Sequence, residues 1–168
     1  MIHFIVMDVD GTLTDGKIYM GQNGELFKAF DVKDGYAIKD ILPSINIVPI
    51  IITARHSDIL NRRCEELGIE YLFQGVRNKI EKLEDFLQKK SEEDDTLYDL
   101  SMVAYIGDDI LDLQCMVPVK RAGGIVACPC DAAKEVIEIS TFVSVKKGGE
   151  GAAREFIEYL KNINFERK

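Results

Sequence analysis

The sequence predicts an α/β fold in three layers, with helices covering both faces of a mainly parallel sheet. Short apolar segments alternate with segments of helical period along almost the whole chain, which is the order expected of βαβ units. The apolar segments are continuous runs, as is typical of strands buried on both faces. The length of 168 residues fits one domain, which we expect to span residues 1–168.

The first half of the chain contains three predicted strands, two predicted helices and a hairpin. The hairpin is expected because Gly21-Gln-Asn-Gly24 has strong turn chemistry and lies between two strand-like segments. Pro43 and Gly68 mark the expected ends of the two helices. In chain order, the elements are a strand at 3–7, the hairpin at about 17–31, a helix at 34–42, a strand at 47–52, a helix at 57–67 and a strand at 71–73.

The second half repeats the alternation of helix and strand. The acidic segment 91–95 is predicted to be a solvated loop between a helix and a strand. The elements are a helix at 78–89, a strand at 102–106, a helix at 109–116, a strand at 125–127, a helix at 132–137, a strand at 142–143 and a closing helix at 151–162.

Composition and charge argue against several classes of protein. A net charge of −8 is not that of a nucleic-acid binder, which usually has a basic face. No apolar run approaches the roughly 20 residues of a membrane helix, and the first residues lack the basic start of a signal peptide. We therefore expect a cytoplasmic protein whose four cysteines are reduced thiols. Cys128-Pro-Cys130 is not a CxxC pair, and no second pair completes a zinc site.

Polar side chains cluster at the carboxyl ends of the predicted strands, where open parallel sheets bind ligands. Clustered carboxylates repel one another unless a cation lies among them. Oxygen ligands in a phosphate-handling context favour Mg²⁺ as that cation. The clustered residues are Asp8, Asp10, Thr12, Thr53, Arg55, Lys79, Asp108, Asp109 and Asp112.

The segment from Asp8 to Thr14 is the most informative part of the chain. Strand alternation places Asp8 and Asp10 on the same side of the backbone. Such a pair can divide its work: a metal-bound carboxylate can attack phosphorus while the other carries a proton for the leaving oxygen. Gly11 allows the chain to turn tightly beside a substrate. The alternative is that Asp8 and Asp10 only cap the end of a strand. That alternative would not explain why polar residues also follow the other predicted strands.

These residues resemble the four motifs of the haloacid dehalogenase superfamily of phosphotransferases, and the resemblance spans the whole chain. It implies a Rossmann-like three-layer sandwich. The segments 10–53 and 53–79 are too short to hold a folded cap domain, so no cap is expected. The matches to the DxDxT, Ser/Thr, Lys and GDD/GDxxxD motifs are Asp8-Val-Asp10-Gly-Thr12, Thr53, Lys79 and Gly107-Asp108-Asp109-Ile-Leu-Asp112.

The resemblance implies a role for each matched residue. Asp8 would be the nucleophile that forms an aspartyl-phosphate, and Asp10 would protonate the leaving alcohol and then deprotonate water. Thr53 and Lys79 would hold the phosphoryl oxygens. The implied ligands of Mg²⁺ are Asp8, the backbone carbonyl of Asp10 and Asp108, with Asp109 and Asp112 as supporting groups.

Other segments resemble the 3-deoxy-D-manno-octulosonate 8-phosphate phosphatase group, which includes phosphatases of nine-carbon sialic-type sugar acids. The resemblance implies a homotetramer in which hairpins form a central barrel and each subunit partly covers the next one's site. Thr12, Arg55 and Arg154 would contact the substrate. The segments are Phe30-Asp-Val-Lys-Asp-Gly35, Ile52-Thr-Ala-Arg55, Leu67-Gly68, Tyr71-Leu-Phe-Gln-Gly75 and Gly148-Gly-Glu-Gly-Ala-Ala-Arg-Glu155.

Arg55 favours the eight-carbon substrate. Octulosonate enzymes of the group typically have Thr-Gly-Arg here, whereas nononate enzymes can carry Glu, and the donor fork of Arg suits a carboxylate or phosphate. Ala54 replaces the usual Gly. The alternatives are a 2-keto-3-deoxynononate or N-acylneuraminate 9-phosphate substrate, or an Arg55 that merely pairs with Asp58 on its own helix.

Three other functions are alternatives to this one. A receiver domain would carry its phosphorylated Asp after the third strand, where this chain has Gln74-Gly75. A non-catalytic tetramerisation domain, related to sugar cytidylyltransferases, would tend to lose Asp10 or Asp108. A broad-range phosphatase or phosphotransferase shares every motif and stays open, because pocket shape selects the leaving group.

Overall fold

The structure is a computed structural model that describes residues 1–166. The strands are β1 (Phe4–Met7), β2 (Tyr19–Gly21), β3 (Gly24–Phe27), β4 (Val48–Ile52), β5 (Tyr71–Phe73), β6 (Val103–Ile106), β7 (Ile125–Cys128) and β8 (Phe142–Val143). The helices are α1 (Val32–Tyr36), a π-helical turn (Ala37–Ile41), α2 (Leu42–Ser44), α3 (Asp58–Leu67), α4 (Lys79–Asp94), α5 (Leu113–Ala122), α6 (Lys134–Ile139) and α7 (Ala152–Glu166), with 3-10 turns at Leu100–Met102 and Ile110–Asp112.

Six strands form one parallel sheet in the order β5-β4-β1-β6-β7-β8. Alternate residues of β1 enter two different cores: Ile5 and Met7 pack with the π-helical turn and α7, whereas Phe4 and Val6 pack with α4 and α5. Each fully buried side chain of this size contributes about 1.5–3 kcal/mol. The three-layer α/β prediction is confirmed. Among the helices of residues 1–166, none combines the length and apolar character that crossing a bilayer requires.

The predicted hairpin is present as an antiparallel pair of strands, β2 and β3, separate from the main sheet. The rings of Tyr19 and Phe27 stack at 4.3 Å between centroids and hold the two strands together. Ile18, Met20 and Leu26 are each more than half exposed. The hairpin therefore presents an apolar surface that its own chain leaves uncovered.

Several predicted helix ends are wrong. The helix predicted to end before Pro43 continues through it, because Pro43 lies in the first turn of α2, where a missing N–H costs little. The acidic segment predicted as a loop is the last turn of α4, where Lys90 pairs with Glu93 and Asp94 one turn later. Two further helices also end later than predicted: α5 runs on through Pro118 to Ala122, and α7 runs to Glu166.

The glycine-rich segment before α7 packs against the loop that follows β1. The backbone N–H of Gly149 donates to the carbonyl of Thr12 at 3.0 Å. A Cβ on Gly148 would lie 1.8 Å from the carbonyl oxygen of Gly11, so only glycine fits this approach. The carboxylate of Asp34 accepts the N–H of Arg154 at 2.7 Å and joins α1 to α7. The segment thus supports the loop rather than leading loosely into a helix.

The buried carboxylate of Asp34 should make stability depend on pH. Burial raises its pKa from 3.8 to about 6, although the hydrogen bond from Arg154 lowers it. Because the folded pKa is the higher one, the stabilising contribution is complete below pH 3.8 and is lost as pH rises through about 6. We expect urea unfolding to show a loss of about 2 kcal/mol between pH 4 and 7 that Asp34→Asn lacks. The exposed Asp40→Asn is the control, and parallel pH profiles for wild type and Asp34→Asn would refute the assignment.

Candidate active site

The loop after β1 brings its carboxylates to the carboxyl edge of the sheet. The N–H groups of Thr12, Leu13 and Thr14 all donate to the carbonyl of Val9, at 2.9–3.2 Å, and so form a tight turn. Gly11 has φ +97°, and a Cβ there would lie 2.0 Å from a carboxylate oxygen of Asp108. Glycine is therefore required for the loop to approach the end of β6.

Three carboxylates from two strand ends form one cluster. One oxygen from each of Asp8, Asp108 and Asp112 lies within 4.8 Å of the others. Burial, followed by the charge of Asp112, raises the pKa of Asp8 to about 7, although Lys79 lowers it. Burial and the charges of Asp8 and Asp112 raise the pKa of Asp108 to about 8. A hard divalent cation would relieve this repulsion, and an all-oxygen donor set fits Mg²⁺.

Lys79 supplies a buried positive charge to this cluster. Its ammonium lies 2.7 Å from Asp8 Oδ1 and 2.7 Å from Asp112 Oδ1, and the residue is 2% exposed. Burial lowers the pKa of Lys79, but the charges of Asp8 and Asp112 outweigh it and raise the pKa above its ordinary value. The amine therefore stays protonated at the centre of the site.

Asp112 organises the cluster through both of its oxygens. Oδ1 accepts from Lys79 and from the hydroxyl of Tyr105 at 2.8 Å, while Oδ2 accepts from the backbone N–H groups of Asp108 and Asp109. A Cβ on Gly107 would lie 2.4 Å from Asp112 Cγ, so glycine allows this approach. Four donors leave Asp112 little capacity for a metal ion. The side chain of Asp109 is exposed and accepts from the N–H of the next residue.

The two threonines predicted to act at the site occupy different positions. Thr12 is fully buried, and its hydroxyl donates to Asp108 Oδ1 at 3.1 Å. That hydrogen bond orients Asp108 and leaves Thr12 no exposed surface for a substrate. Thr53 is 2% exposed just past the end of β4, where its backbone N–H donates to the carbonyl of Phe73.

A second group of charges surrounds Asp10. Asp10 Oδ1 pairs with the ammonium of Lys28 and lies 3.5 Å from Arg55 Nη1. Glu25 pairs with both cations, at 3.1 Å to Lys28 and 3.3 Å to Arg55, and accepts the hydroxyl of Ser57. Arg55 thus faces the site rather than pairing with its helical neighbour.

Sequence reasoning missed Lys28 and Glu25. Both lie on or beside β3, outside the matched motifs. Two charges three positions apart, among the apolar residues of Leu26-Phe27 and Ala29-Phe30, were the available signal. Arg154 lies elsewhere in this chain: its guanidinium pairs with Glu158 and sits 5.1 Å from the ring centroid of Tyr36.

The sequence is similar to curated proteins that share one name. The chain is 41% identical over 159 residues to the 3-deoxy-D-manno-octulosonate 8-phosphate phosphatase KdsC of Salmonella typhi, covering 95% of this chain and 79% of that protein. It is 40% identical, with the same coverage, to KdsC of Escherichia coli K12. No protein-family model matches the sequence.

Solved structures share the fold at similar identity. The Yersinia pestis 3-deoxy-D-manno-octulosonate 8-phosphate phosphatase has a TM-score of 0.82 and 37% identity, over 94% of this chain and 79% of that one. The Moraxella catarrhalis enzyme, solved with magnesium, phosphate and 3-deoxy-D-manno-octulosonate (KDO), has a TM-score of 0.81 and 34% identity. The match covers 95% of this chain and 85% of that one. A Legionella pneumophila structure described as a putative HAD superfamily hydrolase has a TM-score of 0.85 and 28% identity, over 97% of this chain and 84% of that one.

Proposed function

The chain belongs to the 3-deoxy-D-manno-octulosonate 8-phosphate phosphatase family of the haloacid dehalogenase superfamily, and we propose that it hydrolyses this sugar phosphate to KDO and phosphate. It is a Mg²⁺-dependent phosphoric monoester hydrolase. The observation that carries the proposal is the cluster of buried Asp8, half-buried Asp108 and buried Asp112, closed by Lys79. We further propose that residues 1–168 act as one domain without a cap.

The reaction uses two carboxylates in sequence. Asp8 attacks phosphorus, so that a bond from its oxygen to phosphorus forms as the ester P–O bond breaks. Asp10 gives a proton to the leaving alcohol oxygen. Water then attacks the aspartyl-phosphate while Asp10 takes its proton, which regenerates Asp8 and releases phosphate. Splitting the hydrolysis in this way replaces one high barrier by two lower ones.

The remaining residues hold and neutralise charge. Lys79 and Thr53 bind the phosphoryl oxygens, and Lys79 keeps its position through Asp112. Asp8, the backbone carbonyl of Asp10 and Asp108 would hold Mg²⁺, with Asp108 oriented by Thr12. The bound ion supplies charge neutralisation and alignment of the phosphoryl group.

Arg55 is the residue we assign to the sugar acid. Its Nη1 and Nη2 lie 3.5 Å from Asp10 and 3.3 Å from Glu25, while the side chain as a whole is 36% exposed. A partly exposed guanidinium beside the acid–base residue suits the substrate carboxylate. Arg154 pairs with Glu158 in its own chain, and we propose that it acts on a substrate in a neighbouring subunit.

The deciding experiment measures phosphate release with Mg²⁺ and with EDTA. The substrates are 3-deoxy-D-manno-octulosonate 8-phosphate and the 9-phosphates of 2-keto-3-deoxynononate and N-acetylneuraminate. A Mg²⁺-dependent rate that strongly favours the octulosonate supports the proposal. A preference for a nine-carbon acid would keep the mechanism and change the substrate. No release from any substrate would indicate a non-catalytic assembly domain.

We also propose a cytoplasmic homotetramer assembled through the hairpin. The four free cysteines fit a reducing compartment. Met20 and Leu26 are 63% and 64% exposed on adjacent strands, and neighbouring apolar side chains of this kind favour burial between subunits.

The assembly can be broken at the hairpin. Met20→Glu combined with Leu26→Glu should convert tetramers to smaller species in light scattering after gel filtration, because charges in an apolar interface lose their hydration. Leu97→Glu is the matched control, since Leu97 is 78% exposed outside the hairpin. A tetramer mass unchanged by the double substitution would place the interface elsewhere, and a wild-type monomer would refute the assembly.

A further inference from the structure

Lys28 contacts the acid–base residue from the hairpin of the same chain. We propose that Lys28 is a positioning residue: it fixes one oxygen of Asp10, so that the other oxygen is presented to the leaving oxygen and to water. The inference deepens the proposed function and rests on it, because it takes Asp10 as the proton carrier.

The ion pair between Lys28 and Asp10 is not an ordinary surface contact. The side chain of Lys28 is 2% exposed and that of Asp10 is 18% exposed. Exposed pairs contribute little to stability, whereas a buried charge without a partner is strongly destabilising. Lys28 is therefore held in this place by Asp10 and by Glu25, whose carboxylate lies 3.1 Å away.

The two oxygens of Asp10 have different surroundings. Oδ1 takes both cations, pairing with Lys28 and lying 3.5 Å from Arg55. Oδ2 is buried and has no hydrogen-bond partner within residues 1–166. Buried polar atoms are rarely left without a partner, and an oxygen that handles a substrate proton must be available. Because the carboxylate otherwise turns freely about its last torsion, holding Oδ1 also fixes where Oδ2 lies.

Glu25 keeps Lys28 from acting as a second anion receptor. Its carboxylate pairs with Lys28 and Arg55 and is itself held by the hydroxyl of Ser57. Two cations and two carboxylates, with Asp10 as the second, balance within this group. The side chain of Lys28 is 2% exposed, whereas that of Arg55, which contacts the same two carboxylates, is 36% exposed. Burial therefore favours positioning for Lys28 and leaves substrate binding to Arg55.

The test exploits the different needs of two leaving groups. An alkoxide leaves poorly without a proton, whereas p-nitrophenolate leaves readily without one. The value of kcat/KM covers the steps up to formation of the aspartyl-phosphate. For the full chain with Mg²⁺, we expect Lys28→Met to lower kcat/KM for 3-deoxy-D-manno-octulosonate 8-phosphate about 100-fold. The loss with p-nitrophenyl phosphate should be at least about tenfold smaller, on the same reasoning.

Four further variants complete the design. Asp10→Asn should show the same selectivity with a larger loss, and Lys28→Arg should recover much of the alkyl phosphate activity. Lys17→Met, at a lysine that is 73% exposed near the same hairpin, should leave kcat/KM unchanged for both substrates. Glu25→Gln keeps the ion pair of Lys28 with Asp10 but removes the second carboxylate that holds Lys28 in place. It should lower kcat/KM for the sugar phosphate selectively, by about tenfold, and it tests the inference even if Lys28→Met fails to fold.

The outcomes separate this inference from the function on which it rests. Equal losses with both substrates, or a raised KM for the sugar phosphate with kcat unchanged, would overturn the positioning role of Lys28. A selective loss in Asp10→Asn without one in the Lys28 and Glu25 variants would do the same while leaving the proposed function intact. No phosphate release by wild type would remove the basis of both. No selectivity in Asp10→Asn would overturn Asp10 as the proton carrier, and with it this inference, while the phosphatase function would stand.

Discussion

Asp8→Asn is expected to reduce phosphate release from the sugar phosphate by roughly 10⁴-fold or more, the scale of losing a nucleophile. An amide cannot form the aspartyl-phosphate, and it is a poorer ligand for Mg²⁺ than a carboxylate. The fold should persist, because the substitution removes one of three mutually repelling carboxylates. Steady-state kinetics and a thermal melt without Mg²⁺ measure the two effects.

A direct readout of the intermediate accompanies these kinetics. Wild-type protein quenched in acid during turnover should carry one covalent phosphate by intact-mass spectrometry, and Asp8→Asn should carry none. Asp58→Asn, at an exposed aspartate, is the matched control for losing a carboxylate. More than about 1% of wild-type activity in Asp8→Asn, against the loss expected for a nucleophile, would contradict this assignment.

Lys79→Met is expected to have the second-largest effect, and it should act on both activity and stability. Asp8 and Asp112 each lose the ammonium at 2.7 Å, so two buried carboxylates face each other without it. Breaking a buried pair in this way costs about 3–5 kcal/mol. Loss of a positive charge on the phosphoryl oxygens should lower kcat by about 10³-fold.

The stability loss in Lys79→Met should be smaller when Mg²⁺ is present, because the ion restores positive charge beside Asp8, which would be a ligand of the metal as well as a partner of Lys79. Urea unfolding with Mg²⁺ and with EDTA measures this difference. Lys89→Met, at an exposed lysine of the same helix, should change neither stability nor turnover. Unchanged stability in Lys79→Met without metal would show that the carboxylates do not depend on this lysine.

Much of the candidate site could be predicted from sequence because it lies at strand ends. An apolar run that stops at a polar residue reveals where a buried strand ends, and parallel pairing brings such ends to one edge. Asp8 and Asp108 follow neighbouring strands, β1 and β6, so their proximity follows from the pattern. Lys79 joins them because it opens the helix after β5.

Other features of the site could not be predicted in this way. Thr12 was expected to contact substrate, yet its buried hydroxyl is directed at Asp108, and nothing in a DxDxT pattern states which way that hydroxyl turns. Arg55 could have paired with Asp58, three residues along the chain, but it lies instead beside Asp10 and Glu25. The choice depends on which carboxylates the fold brings within reach.

The sequence by itself determined the layers, the parallel sheet and the strand ends at which the motif residues sit. Those features depend on local periodicity, because burial of alternate or successive apolar side chains is set within each segment. Only the tertiary structure decided that the hairpin folds back to place Lys28 and Glu25 against Asp10. An ion pair between distant segments depends on how those segments pack in space, and periodicity carries no information about that packing.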